Sequence, residues 1–357
     1  MRPEPSATYA PGQRGRGPTA EMKFGAVLLC QAPVQSLVEL AVRAEGLGFD
    51  YVWFNDNHLG HESCWPVLTL VAERTERIKI GTWVTNPGSR EWTETASLFA
   101  SLQEISNGRM VCGMGRGDAV RHLIGKRPSS VEDFEGALSV VKALVEGRSA
   151  MYNGISVQLK WTSGRSIEMA GAGYGPRVLA AIGRTCDSSV FQGADVDLFR
   201  WTREIVIDAA AQVGRVPGSI WAHAGAPAYV SDDVAHARDQ VRWFGATVAN
   251  HLAQVVRTHG DSILANDLLE FVVQRRQLDP TTRAVPGHRS ASWVPDEIID
   301  RFTIVGPSTQ HIERLRRLES AGVDQFNVYL IHDGVDRTLS AYGEEILPSF
   351  RPVDGPL

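Results

Sequence analysis

The chain has 357 residues, 43% of them hydrophobic and 22% charged, with a formal net charge of −5. That profile suits a globular protein with a sizeable core. It supplies no basic surplus for nucleic acid, and no apolar run nears the ~20 residues of a membrane span.

Residues 1–21 hold Pro, Gly, Arg, Ser and Thr without an apolar h-region, which predicts a disordered extension rather than a secretory signal. A strand-and-helix rhythm follows. A short apolar run over 23–29 reads as strand one. Pro33 opens a helix with Leu37, Val38, Leu40, Ala41 and Ala44 on one face, stopped at Gly46-Leu47-Gly48. Strand two is 49–54. A helix over 66–74 leads to strand three at 78–85, and a helix over 93–105 to strand four. Strand four, Met110-Val111-Cys112, runs into Gly113, Gly115 and Gly117 and ends on Asp118.

A helix over 131–146 and a hairpin over 151–161, turning at Asn153-Gly154, precede strand five at 166–170. A helix starts at 176, strand six is 188–191, a helix spans 197–212 and strand seven is 220–230. The rhythm then breaks. A long helix covers 232–259, and 260–294 is polar and irregular. Helices follow at 295–302 and 309–321. Strand eight lies within 322–331, and a last helix covers 339–347. Eight strands alternating with helices predict an α/β fold, a (β/α)8 TIM barrel. It forms a single domain over 22–350 with an insertion between strands seven and eight at about 260–294.

The C-terminal strand ends of such a barrel build its active site. Here they carry Asn55-Asp56-Asn57-His58, Trp83-Val84-Thr85-Asn86, Gly115-Arg116-Gly117-Asp118, Gly171-Ala172-Gly173-Tyr174-Gly175-Pro176, Gln192-Gly193 and His332. Glycines and polar groups crowded at one end suit a large cofactor. Gly173 to Pro176 at a helix start suits a phosphate, because free N–H groups meet it there; the segment lacks the dinucleotide fingerprint. Asp56 serves equally as a loop cap, and Asp118 as a helix cap. His58 and His61 form a His-x-x-His pair without a third ligand, so no metal is expected. The cysteines Cys30, Cys64, Cys112 and Cys186 lie far apart, as reduced thiols of a cytoplasmic protein would. Trp243 and Phe244 read as core or interface residues.

The chain from Lys23 to Pro348 resembles the bacterial luciferase-like superfamily. The closer similarity is to its coenzyme F420-dependent oxidoreductases, the branch of methylenetetrahydromethanopterin reductase and F420-dependent glucose-6-phosphate dehydrogenase. Gly48-Phe-Asp-Tyr-Val-Trp53 with Asp56, the segment 81–87, Gly108-Arg109 with the segment 113–118, the segment 173–176 and the segment 322–326 carry the resemblance. It implies a luciferase-like TIM barrel and hydride transfer between F420 and a small C=N, C=C or alcohol/carbonyl substrate. It also implies a homodimer, while the charge balance and the apolar run lengths already lead us to expect no nucleic-acid or membrane partner.

By the same resemblance, a non-proline cis peptide falls at Trp83–Val84. Asp56, Trp83, Val84, Thr85, Asn86, Gly115, Arg116, Gly117, Gly171, Gly173, Tyr174, Gly175, Pro176, Gln192 and Gly193 form the cofactor site. Asp118 falls where some members keep a carboxylate as proton donor; from the strand ends themselves the candidates for proton donor or acceptor are Asp118, then His58, then His332. Relatives place a His directly after the strand-two Asp, where this chain has Asn57. An FMN-dependent monooxygenase and a non-catalytic cofactor-binding barrel are the alternatives.

Overall fold

The computed structural model describes residues 21–31, 33–260, 266–276 and 291–351. In chain order the elements are β1 (Lys23–Leu28), α1 (Val34–Gly46), β2 (Tyr51–Phe54), α2 (Cys64–Arg74), β3 (Lys79–Thr82), α3 (Trp92–Ile105), β4 (Met110–Met114), α4 (Asp118–Leu123) and α5 (Val131–Val145). Next come β5 (Ala150–Tyr152), β6 (Ile155–Val157), β7 (Glu168–Ala172), α6 (Pro176–Thr185), β8 (Ser188–Gln192), α7 (Val196–Gln212) and β9 (Trp221–Val230). The remainder is α8 (Val234–His259), α9 (Asn266–Arg276), α10 (Asp296–Phe302), β10 (Ile304–Gly306), α11 (Ser308–Ala321), β11 (Gln325–Tyr329) and α12 (Val335–Ala341).

Parallel pairing runs β1–β2–β3–β4–β7–β8–β9–β11 and returns to β1, closing the eight-stranded barrel the rhythm predicts. β5 and β6 form the expected antiparallel hairpin. The helices follow local rules. α1 buries Leu37, Val38, Ala41 and Ala44 at helical spacing, and Asp195 and Asp233 cap α7 and α8 by accepting the N–H groups of Leu198 and His236. Arg109 ties the base of β4 to the preceding helices, donating to the carbonyls of Ala72, Thr75, Ile78 and Ser106.

The barrel interior is built around two tryptophans. Trp53 Nε1 donates to Asn327 Oδ1 at 2.7 Å, and the Trp53 and Trp83 rings lie 5.0 Å apart. Glycines on three other strands make the room: a Cβ would fall 2.6 Å from Trp53 at Gly25, 2.4 Å from it at Gly81, and 2.9 Å from Trp83 at Gly225. At the N-terminal end of the barrel Glu168 gathers Lys79 at 2.9 Å, Ser188 at 3.1 Å and Tyr51 at 3.3 Å.

Four local features add to or depart from the expected elements. Asp118–Leu123 forms a helical turn, which its six-residue length hides from periodicity. β10 pairs beside the end of β9, a strand too short to read. Within the stretch expected to be irregular, Asn266–Arg276 is a helix whose Leu268, Phe271 and Val272 are buried, with Phe271 stacked on Trp293 at 5.4 Å. Glu21, placed in the extension, is ion-paired with Arg351 at 3.1 Å. Residues 1–20, 261–265 and 277–290, on which the remaining expectations fall, lie outside the described residues.

Candidate active site

The site is assembled from strand ends inward. β3 stops at Thr82, the Trp83–Val84 peptide is cis, and Thr85 rejoins β4 through Thr85 N–H to Gly113 O at 2.8 Å and Gly115 N–H to Thr85 O at 2.9 Å. This detour turns Trp83 into the barrel. Its Nε1 donates to the Tyr329 hydroxyl at 2.5 Å, and Gln192 Nε2 donates to the same oxygen at 3.0 Å. Gln192 Oε1 in turn accepts the Tyr174 hydroxyl at 2.9 Å. One row of hydrogen bonds thus crosses the mouth from Trp83 to Tyr174. Tyr329 came from strand eight, whose polar signal lies beyond it at His332, so the sequence reading passed over it.

The glycine-rich end of β4 is shaped by protein contacts. A Cβ on Gly113 would lie 1.9 Å from Thr82 O, and one on Gly115 would lie 3.0 Å from Val84. Gly117 has φ +84°, and a side chain there would meet Asn86 at 2.7 Å, so both conformation and space require glycine. Asn86 is buried and accepts from Gly88 N–H and Ser89 Oγ, each at 3.0 Å. Arg116 Nε donates to Ser129 O at 2.6 Å. Asp118 then opens α4. Its Oδ1 is buried and has no hydrogen-bond partner among the described residues.

Asp56 is buried and filled by protein partners. Arg90 grips it in bidentate fashion at 2.6 and 3.0 Å, and Thr85 Oγ1 donates at 2.7 Å. Arg90 carries no motif signal in the sequence. His58 is exposed on the turn after β2. Both ring nitrogens of His332 are engaged by backbone: Nε2 lies 3.0 Å from Ala228 O, and Nδ1 accepts Gly334 N–H at 3.1 Å. Burial holds that imidazole neutral, down to about 4.

On β7 the absent side chains admit α6. A Cβ would meet Ile182 at 2.6 Å from Gly171, and Val178 at 2.3 Å from Gly173. Gly175 caps α6 in extended conformation without a side-chain hydrogen bond, and Pro176 takes the first helical position. Pro176 has no N–H, and those of Val178 and Leu179 go to Gly175 O at 3.0 Å, so Arg177 N–H is the free donor of this helix start. Gly193 is fitted between the Phe191 and Phe302 rings.

A residue that sequence reasoning missed completes the mouth. His251 on α8 stacks on Tyr174 with centroids 4.3 Å apart at 22°, and its Nδ1 is buried without a partner among the described residues. Burial pushes its pKa down, while the negative charge of Asp118 opposes that shift. Phe244, seven positions earlier on the same helix, meets Tyr329 edge-on at 5.6 Å. Nothing in the spacing of α8 marks His251, because β7 and the Tyr174 that follows it are remote from it in sequence. Among the described residues no three His, Cys, Asp or Glu side chains gather as a metal-ligand set, and no helix is long and apolar enough to cross a membrane.

Residues 8–325 match the sequence model of the family described as luciferase-like monooxygenase. The 5,10-methylenetetrahydromethanopterin reductase of Archaeoglobus fulgidus is 29% identical over 92% of this chain and 100% of that protein. An F420-dependent glucose-6-phosphate dehydrogenase of Microbacterium testaceum is 26% identical over 88% of this chain and 93% of its own length. Among solved structures, the coenzyme F420 dependent tetrahydromethanopterin reductase of Methanopyrus kandleri superposes with a TM-score of 0.74. It covers 93% of this chain and 100% of its own at 23% identity.

Proposed function

The chain belongs to the luciferase-like monooxygenase family, and from that premise we propose that it moves a hydride between coenzyme F420 and a small organic substrate at the C-terminal mouth of the barrel. It is an F420-dependent oxidoreductase. When bound, a deazaflavin supplies a ring carbon that gives or takes a hydride, chemistry no side chain offers.

The residues fit such a group. The start of α6, with Gly173, Tyr174, Gly175 and Pro176, would hold an anionic side chain, with Arg177 N–H as its free helical donor. Val84, Thr85 and Asn86 at the β3 detour, and the backbone of Gly115, Arg116 and Gly117 beside it, would hold the ring system. Asp56 supports that detour through Thr85 and Arg90 rather than offering free oxygens. Gln192 orients the two tyrosines through their hydroxyls, and His251 stacks on the second of them, Tyr174.

Asp118 is the observation that carries the reading. A buried polar oxygen without a partner costs about 1–3 kcal/mol, and this one lies just beyond the end of β4, close enough to Tyr174 and His251 for its charge to act on both. His332, with both nitrogens engaged by backbone, and His58, exposed on its turn, have no part in the proposal.

Thermal denaturation with each cofactor tests the reading. A ligand that binds only the folded state at 100 times its Kd adds about 2.7 kcal/mol. F420 at that excess is expected to raise Tm by several degrees and FMN to leave it unchanged. A shift with FMN and none with F420 would make the protein a flavin enzyme instead.

A further inference from the structure

We propose that His251, carried to the barrel mouth by α8, is the residue that exchanges a proton with the substrate, with Asp118 as its counter-charge, and that the substrate is accordingly an alcohol or the matching carbonyl compound. The inference rests on the F420 reading above and extends it to a residue and a substrate class.

Position comes first. Tyr329 and Tyr174 flank Gln192, each bound to it through the hydroxyl. Phe244 packs on the first tyrosine and His251 on the second, so one face of α8 lies along this row. Seven residues make almost two full turns, which puts both side chains on that face.

Partnering comes second. His251 Nδ1 and Asp118 Oδ1 are both buried and both lack a hydrogen-bond partner among the described residues. They lie close enough for the carboxylate to act on the imidazole, and both groups act on or touch Tyr174. Two unsatisfied groups at one mouth, one an acceptor and one able to take or give a proton, point to a ligand atom that carries an exchangeable proton. The other histidines weighed for this role are placed elsewhere. His58 is exposed, His332 is bound to backbone, and His223 lies 3.6 Å from Glu168 at the opposite end of the barrel.

The chemistry follows from the protonation state. Burial keeps the His251 imidazole neutral, which is its basic form, and Asp118 stabilises the imidazolium that forms. On oxidation, the substrate O–H bond breaks and its proton passes to His251 Nδ1. The O–H electron pair becomes the second C–O bond, and the C–H hydrogen leaves with its pair to the deazaflavin. On reduction of the carbonyl, both are returned. An iminium accepts a hydride alone and needs no proton at its reacting atoms, so it leaves this pair without a task.

The test uses the full chain and has two arms. In the absence of cofactor, ¹⁵N-histidine ring spectra of wild type, Asp118→Asn and His251→Asn, the last for assignment, follow the titration of His251. Asp118 and Tyr174 are the titratable groups that face it. Asp118→Asn is expected to lower the pKa of His251, and an unchanged titration would overturn the pairing.

In the second arm F420 is titrated and turnover is followed with propan-2-ol and cyclohexanol, and with their ketones in reverse. His251→Ala is expected to bind F420 within about twofold of wild type and to lose 100-fold or more in kcat, in the range of general acid–base catalysis. Added imidazole is expected to restore part of that loss. Turnover of the variant within threefold of wild type overturns the role. Wild type that binds F420 but turns over only an iminium or an enone overturns the substrate class. Wild type that fails to bind F420 removes the family-based function, while the ring titration still decides the pair.

Discussion

Arg90 and Asp56 show how a side chain with no motif signal can determine what a recognisable one does. Asp56 stands where the family resemblance puts a cofactor contact. In the fold its oxygens are taken up by the Arg90 guanidinium and the Thr85 hydroxyl, and Arg90 in turn lies over the Trp65 ring at 5.2 Å. Removing one member of a buried pair strands the other charge, at about 3–5 kcal/mol. Arg90→Met is therefore expected to destabilise the protein by that much in urea unfolding. Pairing it with Asp56→Asn is expected to recover part of the loss, because the stranded charge is then gone. An Arg90→Met variant within about 1 kcal/mol of wild type would contradict the pairing, given the error of such measurements. Asp56 and Asp118 were both legible from their places after strand ends. Their different fates were not, since the partner of the first comes from 34 residues away and the oxygen of the second is left open.

At the scale of elements, β3 and its neighbours depend on small residues facing large ones across the barrel. A Cβ on Gly81 would fall 2.4 Å from the Trp53 ring and 2.9 Å from Val111 O. Gly81→Ala is expected to cost about 1–3 kcal/mol by overpacking. Gly46→Ala, at the end of α1 with nothing within 4 Å of the new methyl, is expected to be neutral or to gain up to about 1 kcal/mol from helix propensity. Urea midpoints of the two variants check the contrast, and equal effects would mean the barrel interior gives way around Trp53. The sequence showed that strand ends were glycine-rich; the space a Cβ would need there is taken by Val84, Ile182, Val178 and Asn86. α8 was legible as a long helix from its ends and its apolar spacing. Its His251 was not, because a helix pattern says which face is apolar and not which polar residue on that face meets a tyrosine on another strand.

Across the whole molecule, buried histidines tie stability to pH. His311 and His332 hold the seam where β9, α11 and the C-terminal segment meet. His311 contacts the Tyr342 hydroxyl at 3.1 Å and Tyr229 O at 3.2 Å. Burial brings each from 6.5 down to about 4. The unfolded chain then binds protons at a pH where the fold does not. The stability they protect is complete above about 6.5 and is lost as pH falls toward 4. Urea midpoints are expected to fall steadily between pH 7.5 and pH 4.5, and His332→Asn to flatten part of that slope. A flat wild-type profile would mean that the fold accommodates the charged rings. By itself the sequence determined the barrel, its strand count and its family, because βα periodicity and strand-end residue types are local properties. Only the tertiary structure decided which polar atoms at that end are satisfied, and that α8 brings a histidine to Tyr174 and Asp118. Hydrogen-bond satisfaction depends on which distant segments approach within about 3 Å, and no local pattern encodes that approach.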